Sequence, residues 1–114
     1  MFYLLTNCLL QHTIQPTSII RIDTTNYFDK WFAKIKNRRT KMIIGTHIER
    51  MADNNFGVIR SVGQGVWEKK LDCGPGYRLY FCYHQKNWLI LLCGGDKSTQ
   101  KADIKLAQKI KKGL

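Results

Sequence analysis

The sequence predicts an α+β domain: an N-terminal strand and a helical hairpin packed on a mostly antiparallel four- to five-stranded sheet, with a helix at the C-terminus. Three observations predict it. Apolar residues between Phe28 and Met51 recur at three- and four-residue spacing, the period of one helix face. From Val58 the period falls to two, and four strand-like runs are joined by short connections that suit antiparallel neighbours. Beyond Gly94-Gly95 the helical period returns. A chain of 114 residues has room for one such core and not for two.

The elements follow in order. Residues 1–18 are expected to be an N-terminal extension, and residues 19–114 the domain proper. Met1 to Leu10 is apolar, lacks a basic region ahead of it and is too short to span a bilayer. Ser18 to Ile22 reads as the first strand. Asp23-Thr-Thr-Asn26 offers several N-caps for a helix reaching about Lys36, with Phe28, Trp31, Phe32 and Ile35 as its core stripe. Asn37-Arg-Arg-Thr40 breaks the pattern. A second helix then carries Ile44, Ile48 and Met51 and closes near Ala52, before Asp53-Asn-Asn55 and Gly57.

The four strands are expected over Val58–Val62, Val66–Cys73, Tyr77–Tyr83 and Trp88–Cys93. Gly63-Gln-Gly65, Gly74-Pro-Gly76 and His84-Gln-Lys-Asn87 connect them. Trp88 to Cys93 is apolar without alternation, which predicts a central strand covered on both faces. Asp96 or Ser98 can cap a last helix from about Thr99 to Lys112, with Ile104, Ala107 and Ile110 facing inward.

Charge narrows the partners. Nineteen Lys and Arg against eight Asp and Glu give a net +11 and a pI near 9.8, a balance suited to a polyanion such as RNA or DNA. Cys8, Cys73, Cys82 and Cys93 form no C-x-x-C pair and have no His at zinc-ligand spacing, so neither a metal nor a cofactor is expected. Cys82 and Cys93 sit in strand-like runs, where a thiol serves as a small hydrophobe. Nothing points to export, and a cytoplasmic protein without membrane contact is the expectation.

The hairpin around Gly74-Pro75-Gly76 concentrates the chemistry. Its first run carries Glu68, Lys69, Lys70 and Asp72. Its second places Arg78 and Tyr80 on one face and Tyr77, Leu79 and Phe81 on the other. Further on, Lys97, Lys101, Lys105 and Lys109 repeat every four residues and line up as a ridge. Four like charges in line weaken a helix unless an anion lies along them. There is no G-x-S-x-G, no H-E-x-x-H and no G-x-x-x-x-G-K-[ST], and acids are scarce for two-metal phosphodiester chemistry. Cation-based RNA cleavage fits what is left. The 2′-hydroxyl attacks its neighbouring phosphate while Lys and Arg stabilise the growing charge.

Several blocks carry a resemblance: Asn55-Phe-Gly57, Ser61-Val-Gly-Gln-Gly-Val66, Glu68, Gly74-Pro-Gly-Tyr-Arg78, Tyr80-Phe81, Leu91-Leu-Cys-Gly-Gly-Asp-Lys-Ser-Thr-Gln100 and Asp103-Ile104. Over residues 19–111 the chain resembles the RelE/ParE superfamily of toxins, nearest its HigB-like branch of addiction module killer proteins. That resemblance implies the toxin of a type II toxin–antitoxin system, cleaving mRNA in the ribosomal A site and neutralised by an antitoxin. It implies catalytic roles for Lys70 near the 2′-hydroxyl, Arg78 on the phosphate, and Lys97 as a phosphate contact or proton donor. Arg60 would contact phosphate. Glu68 would either support the cluster by pairing with Lys70 or Arg78, or act as a base. Tyr80, Lys101, Lys105 and Lys109 complete the expected RNA- and ribosome-binding set. Operator DNA would be reached only through the antitoxin.

The sequence also departs from that pattern. Lys70 stands where the branch more often has Arg, which keeps the charge and loses the bidentate geometry. Asp103 lies in the stretch where RelE has a catalytic tyrosine, and Tyr80 substitutes only if its face matches. Val58 replaces an acid. Two other readings stand beside the nuclease: a ParE-like toxin that inhibits a topoisomerase by binding, and a catalytically inactive module that binds antitoxin or DNA. The nuclease reading requires Lys70 and Arg78 to share one face of the sheet.

Overall fold

The structure, a computed structural model, describes residues 19–114, so the expected extension and Ser18 lie outside the described residues. The elements are β1 (Arg21–Thr24), α1 (Asn26–Lys34), α2 (Arg38–Ala52), β2 (Ile59–Ser61), β3 (Trp67–Lys70), β4 (Arg78–Gln85), β5 (Trp88–Gly95), a 3-10 turn (Lys97–Thr99) and α3 (Gln100–Lys112). The strands form one sheet in the order β1-β5-β4-β3-β2. β1 runs parallel to β5 and every other pairing is antiparallel. The predicted α+β architecture is the one observed.

Alternation along the strands divides the core in two. Leu79, Phe81, Leu89 and Leu91 pack under Phe28, Ile44, Ile48 and Met51, from the helical hairpin. Val66, Tyr80, Cys82, Leu92 and Cys93 face the other way and are covered by Ile104, Ala107 and Ile110 of α3. Apolar area on both faces is what stabilises the sheet, at roughly 25 cal/mol for each Å² removed from water. β5 is buried on both faces as its apolar run predicts. The middle position, however, belongs to β4, because β1 adds beyond β5.

Caps fix where the helices begin. Thr25 is the N-cap of α1, its hydroxyl oxygen accepting from Phe28 N at 3.1 Å and donating to Leu92 O at 2.6 Å. That pair of bonds ties the helix start to β5. The stretch Asn37–Thr40, read above as a break, holds the start of α2. Ile35 is extended, and Asn37 Oδ1 already accepts from Thr40 N at 3.0 Å. The first turn of α2 carries Arg38 and Arg39 and no acid, the unfavourable sign for the positive end of a helix dipole.

The strand ends also differ from expectation, each for a local reason. β3 stops at Lys70 because the chain swings into the turn before Tyr77, closed by Leu71 N donating to Tyr77 O at 2.9 Å. β4 continues to Gln85, which pairs with Trp88, so only Lys86 and Asn87 form the turn. Asn87 takes the left-handed φ of 61° that such a tight turn needs. The Gly94-Gly95 step is set by packing. A side chain at Gly94 would run into the Trp31 ring, and one at Gly95 into the Asp103 carboxylate.

Candidate functional site

Lys70 and Arg78 are direct partners across β3 and β4, and Arg60 and Glu68 are partners across β2 and β3. Directly opposed residues of an antiparallel pair point to one face. All four therefore lie on the α3 side of the sheet, which meets the condition set on Lys70 and Arg78. With Val58, Ile59 and Gln100, the first residue of α3, they line a cleft of about 310 Å³.

Glu68 is the hub of this cleft, only 4% exposed. Its Oε1 accepts from Arg60 Nε at 2.7 Å. Its Oε2 accepts from Tyr80 Oη at 3.0 Å and from Gln100 Nε2 at 2.9 Å. Burial opposes ionisation, but the hydrogen bonds from Arg60, Gln100 and Tyr80 outweigh it and hold the carboxyl below its usual range. A carboxylate so satisfied is a poor proton acceptor. Of the two pairings expected for Glu68, the one with Arg78 is present, at 3.7 Å. The other expected partner gives way to Arg60.

Arg78 lies deep beside it, its side chain 8% exposed. Nη1 donates to Gly76 O at 2.7 Å, while Nε is buried and has no hydrogen-bond partner among the described residues. Leaving a buried donor bare costs about 1–3 kcal/mol, more for a charged group. An anionic oxygen in the cleft would remove that cost. Gly76 itself sits at φ 80°, and a side chain there would meet Arg78 Nη1 at 3.3 Å and Lys97 Cβ at 3.4 Å. Lys97 thus comes beside the Arg78 guanidinium across Gly76, held by its amide donating to Pro75 O at 3.4 Å. Of the three residues expected to be catalytic, Lys70 and Arg78 share the cleft, while Lys97 approaches Arg78 across Gly76 and is not among the cleft's lining residues.

The remaining expectations divide. Lys101, Lys105 and Lys109 are exposed along α3, but Lys97 lies in the 3-10 turn ahead of it, so the ridge on the helix holds three of the four expected lysines. Arg60 is also open to solvent, its side chain 59% exposed. Tyr80 requires a correction. It shares the face of Arg78, as alternation predicts, but that face lies under α3 and its exposure is 0%. Burial first, then Glu68, raises its pKa, so the phenol is a fixed hydrogen-bond donor and not an RNA contact. Asp103 packs over Gly95 and accepts from Thr99 Oγ1 at 2.5 Å; burial raises its pKa. His84 stands at the far end of β4, edge-on to Trp88 with ring centroids 4.4 Å apart.

Two residues were missed. Gln100 hydrogen-bonds Glu68 across thirty-two positions of sequence, a distance at which local pattern carries no signal. Lys69 is buried on the opposite face, donating to Phe56 O at 2.6 Å; burial, then Arg50, lowers its pKa. A signal for Lys69 did exist, since alternation with Glu68 and Lys70 points it inward. Among the described residues no group of three or more His, Cys, Asp or Glu is placed to hold a metal, and no helix is long and apolar enough to cross a membrane.

Comparison with known proteins places the cleft in a family. Residues 27–114 match the family described as phage derived protein Gp49-like (DUF891), a span containing every cleft residue. The chain belongs to that family. It is an addiction-module toxin-like family. A Haemophilus influenzae relative named only as an uncharacterized protein is 49% identical to this Gp49-like protein over 89 residues, covering 78% of this chain and 90% of the relative.

Proposed function

We propose that this Gp49-like protein is the toxin of a type II toxin–antitoxin system, of the HigB-like branch of the RelE/ParE superfamily, and a metal-independent endoribonuclease acting on ribosome-bound mRNA. The observation that supports it best is the cross-strand pairing of Lys70 with Arg78 at a cleft where a buried arginine donor is unsatisfied. In the proposed reaction the 2′-oxygen bonds to the adjacent phosphorus and the P–O5′ bond breaks. The products are a 2′,3′-cyclic phosphate and a 5′-hydroxyl. Lys70, entering the step as its neutral amine, receives the 2′-proton, Arg78 stabilises the charge on the non-bridging oxygens, and Lys97 protonates the leaving oxygen. Arg60 and the ridge of Lys101, Lys105 and Lys109 hold the polyanion. The antitoxin that restrains it would offer acidic segments to the same cations.

Mapping the ends of a message bound to ribosomes tests this. The parent should cut it, and Lys70→Ala, Arg78→Ala and Lys97→Ala should each lower the rate by about 10²-fold or more, the usual scale for removing a transition-state contact. An intact message, with Lys70→Ala and Arg78→Ala still growth-inhibitory, would exclude the nuclease. Asp103 favours the ParE-like reading, because no phenol from α3 reaches the cleft where a catalytic tyrosine would be wanted. Inhibition of topoisomerase supercoiling by the purified protein would mark that alternative.

A further inference from the structure

We infer that Gln100 is a positioning residue, which with Tyr80 saturates the Glu68 carboxylate and so keeps Arg78 available to the RNA phosphate. The inference rests on the nuclease reading of the cleft. Three donors converge on Glu68: Arg60 Nε at 2.7 Å, Tyr80 Oη at 3.0 Å and Gln100 Nε2 at 2.9 Å. Tyr80 and Gln100 both fill Oε2, the oxygen nearest Arg78. Arg78 Nε stays 3.7 Å from it, beyond hydrogen-bond length, and has no other partner among the described residues.

That separation is the unusual feature. A buried arginine beside a buried carboxylate ordinarily closes into a short, charge-assisted pair. Here two neutral donors already occupy the lone pairs that Arg78 would take. Without them the guanidinium would collapse onto Glu68, and the cation meant for a phosphate would be spent on an internal anion. Gln100 is well placed for the task, since it opens α3 and reaches the strand through its side chain alone. Tyr80 reaches the same oxygen from β4, under the helix. Neither group needs to touch the substrate.

The probe is a short single-stranded RNA with a 2′-O-methyl group at each position, which binds without being cut, together with the Arg78 Nε–H resonance in the free protein. Gln100→Ala should move that resonance downfield, as a new bond to the carboxylate requires, and weaken RNA binding about tenfold, the effect of one charge-assisted contact. Tyr80→Phe, which keeps the ring in the core, should do the same. Adding Glu68→Gln to Gln100→Ala should return binding to within about threefold of the parent, because a neutral amide does not capture the guanidinium. An unmoved resonance in both single variants overturns the inference. So does a binding loss that Glu68→Gln fails to relieve in a protein with unchanged circular dichroism. If Arg78→Ala binds the RNA as well as the parent, the nuclease reading of the cleft falls, while the resonance comparison still decides what Gln100 does.

Discussion

Gly94 and Trp31 are in such close contact that β5 can carry no side chain where α1 crosses it. The indole lies where a Cβ would be, and it packs T-shaped against Tyr77 at a centroid distance of 6.0 Å. Gly94→Ala should therefore destabilise the fold by about 1–3 kcal/mol, the range for overpacking a fitted core. Urea unfolding measures it. Combining the change with Trp31→Leu should recover part of the loss, and strict additivity of the two would show that the ring is not the obstacle.

The acid limb of the stability curve should depend on Glu68. Its pKa is lowered in the folded state from an ordinary value of 4.5, so the folded chain binds fewer protons than the unfolded one in that window. The stability it contributes is complete above about pH 4.5 and is lost as pH falls through the lower folded value. Asp103 works in the opposite sense, since burial raises its pKa from 3.8, and its contribution fades as pH rises through the raised value. Comparing the parent with Glu68→Gln isolates the first effect. Their urea midpoints should differ most near neutrality and converge below pH 4.5. A gap that stays constant with pH would refute this account.

Helix α2 begins with the wrong charge. Arg38 and Arg39 occupy its first turn, with no acid to oppose the exposed N–H groups. Arg38→Glu should stabilise the protein by about 0.3–1 kcal/mol at low salt and by less at high salt. Thermal unfolding at two ionic strengths checks both parts.

The ridge on α3 should appear in the salt dependence of RNA binding. Single-stranded RNA loses about 0.7 in log K per log salt for each phosphate contact, so replacing Lys101, Lys105 and Lys109 with Gln should flatten the slope by about 2. Titrations between low and physiological salt give the slope directly. An unchanged slope would return the ridge to the role of a solvated helix face.

Much of this was legible in the chain. Alternation alone assigned Leu79 and Phe81 to one face and Arg78 and Tyr80 to the other, because strand geometry is local. The Gly-Pro-Gly turn likewise announced the pairing that brings Lys70 opposite Arg78. What alternation cannot say is which helix returns over which face, and so Tyr80 looked available when α3 in fact buries it. The turn at Lys86-Asn87 was hidden in a polar run whose residues all suit a loop, and only the left-handed Asn87 reveals it. The bond from Gln100 to Glu68 depends on where α3 starts relative to β3, a tertiary fact with no short-range trace.

The cleft stands on the thin margin of the sheet. Arg60, Glu68 and Lys70 ride on strands of three and four residues, whereas β4 and β5 have eight each. Backbone amides at that margin should exchange with solvent well before those of β4 and β5, as segments with few ladder bonds do. The protein can then lose its working surface by fraying while most of the fold persists. Its functional lifetime and its melting temperature become separate quantities, and lengthening one need not raise the other.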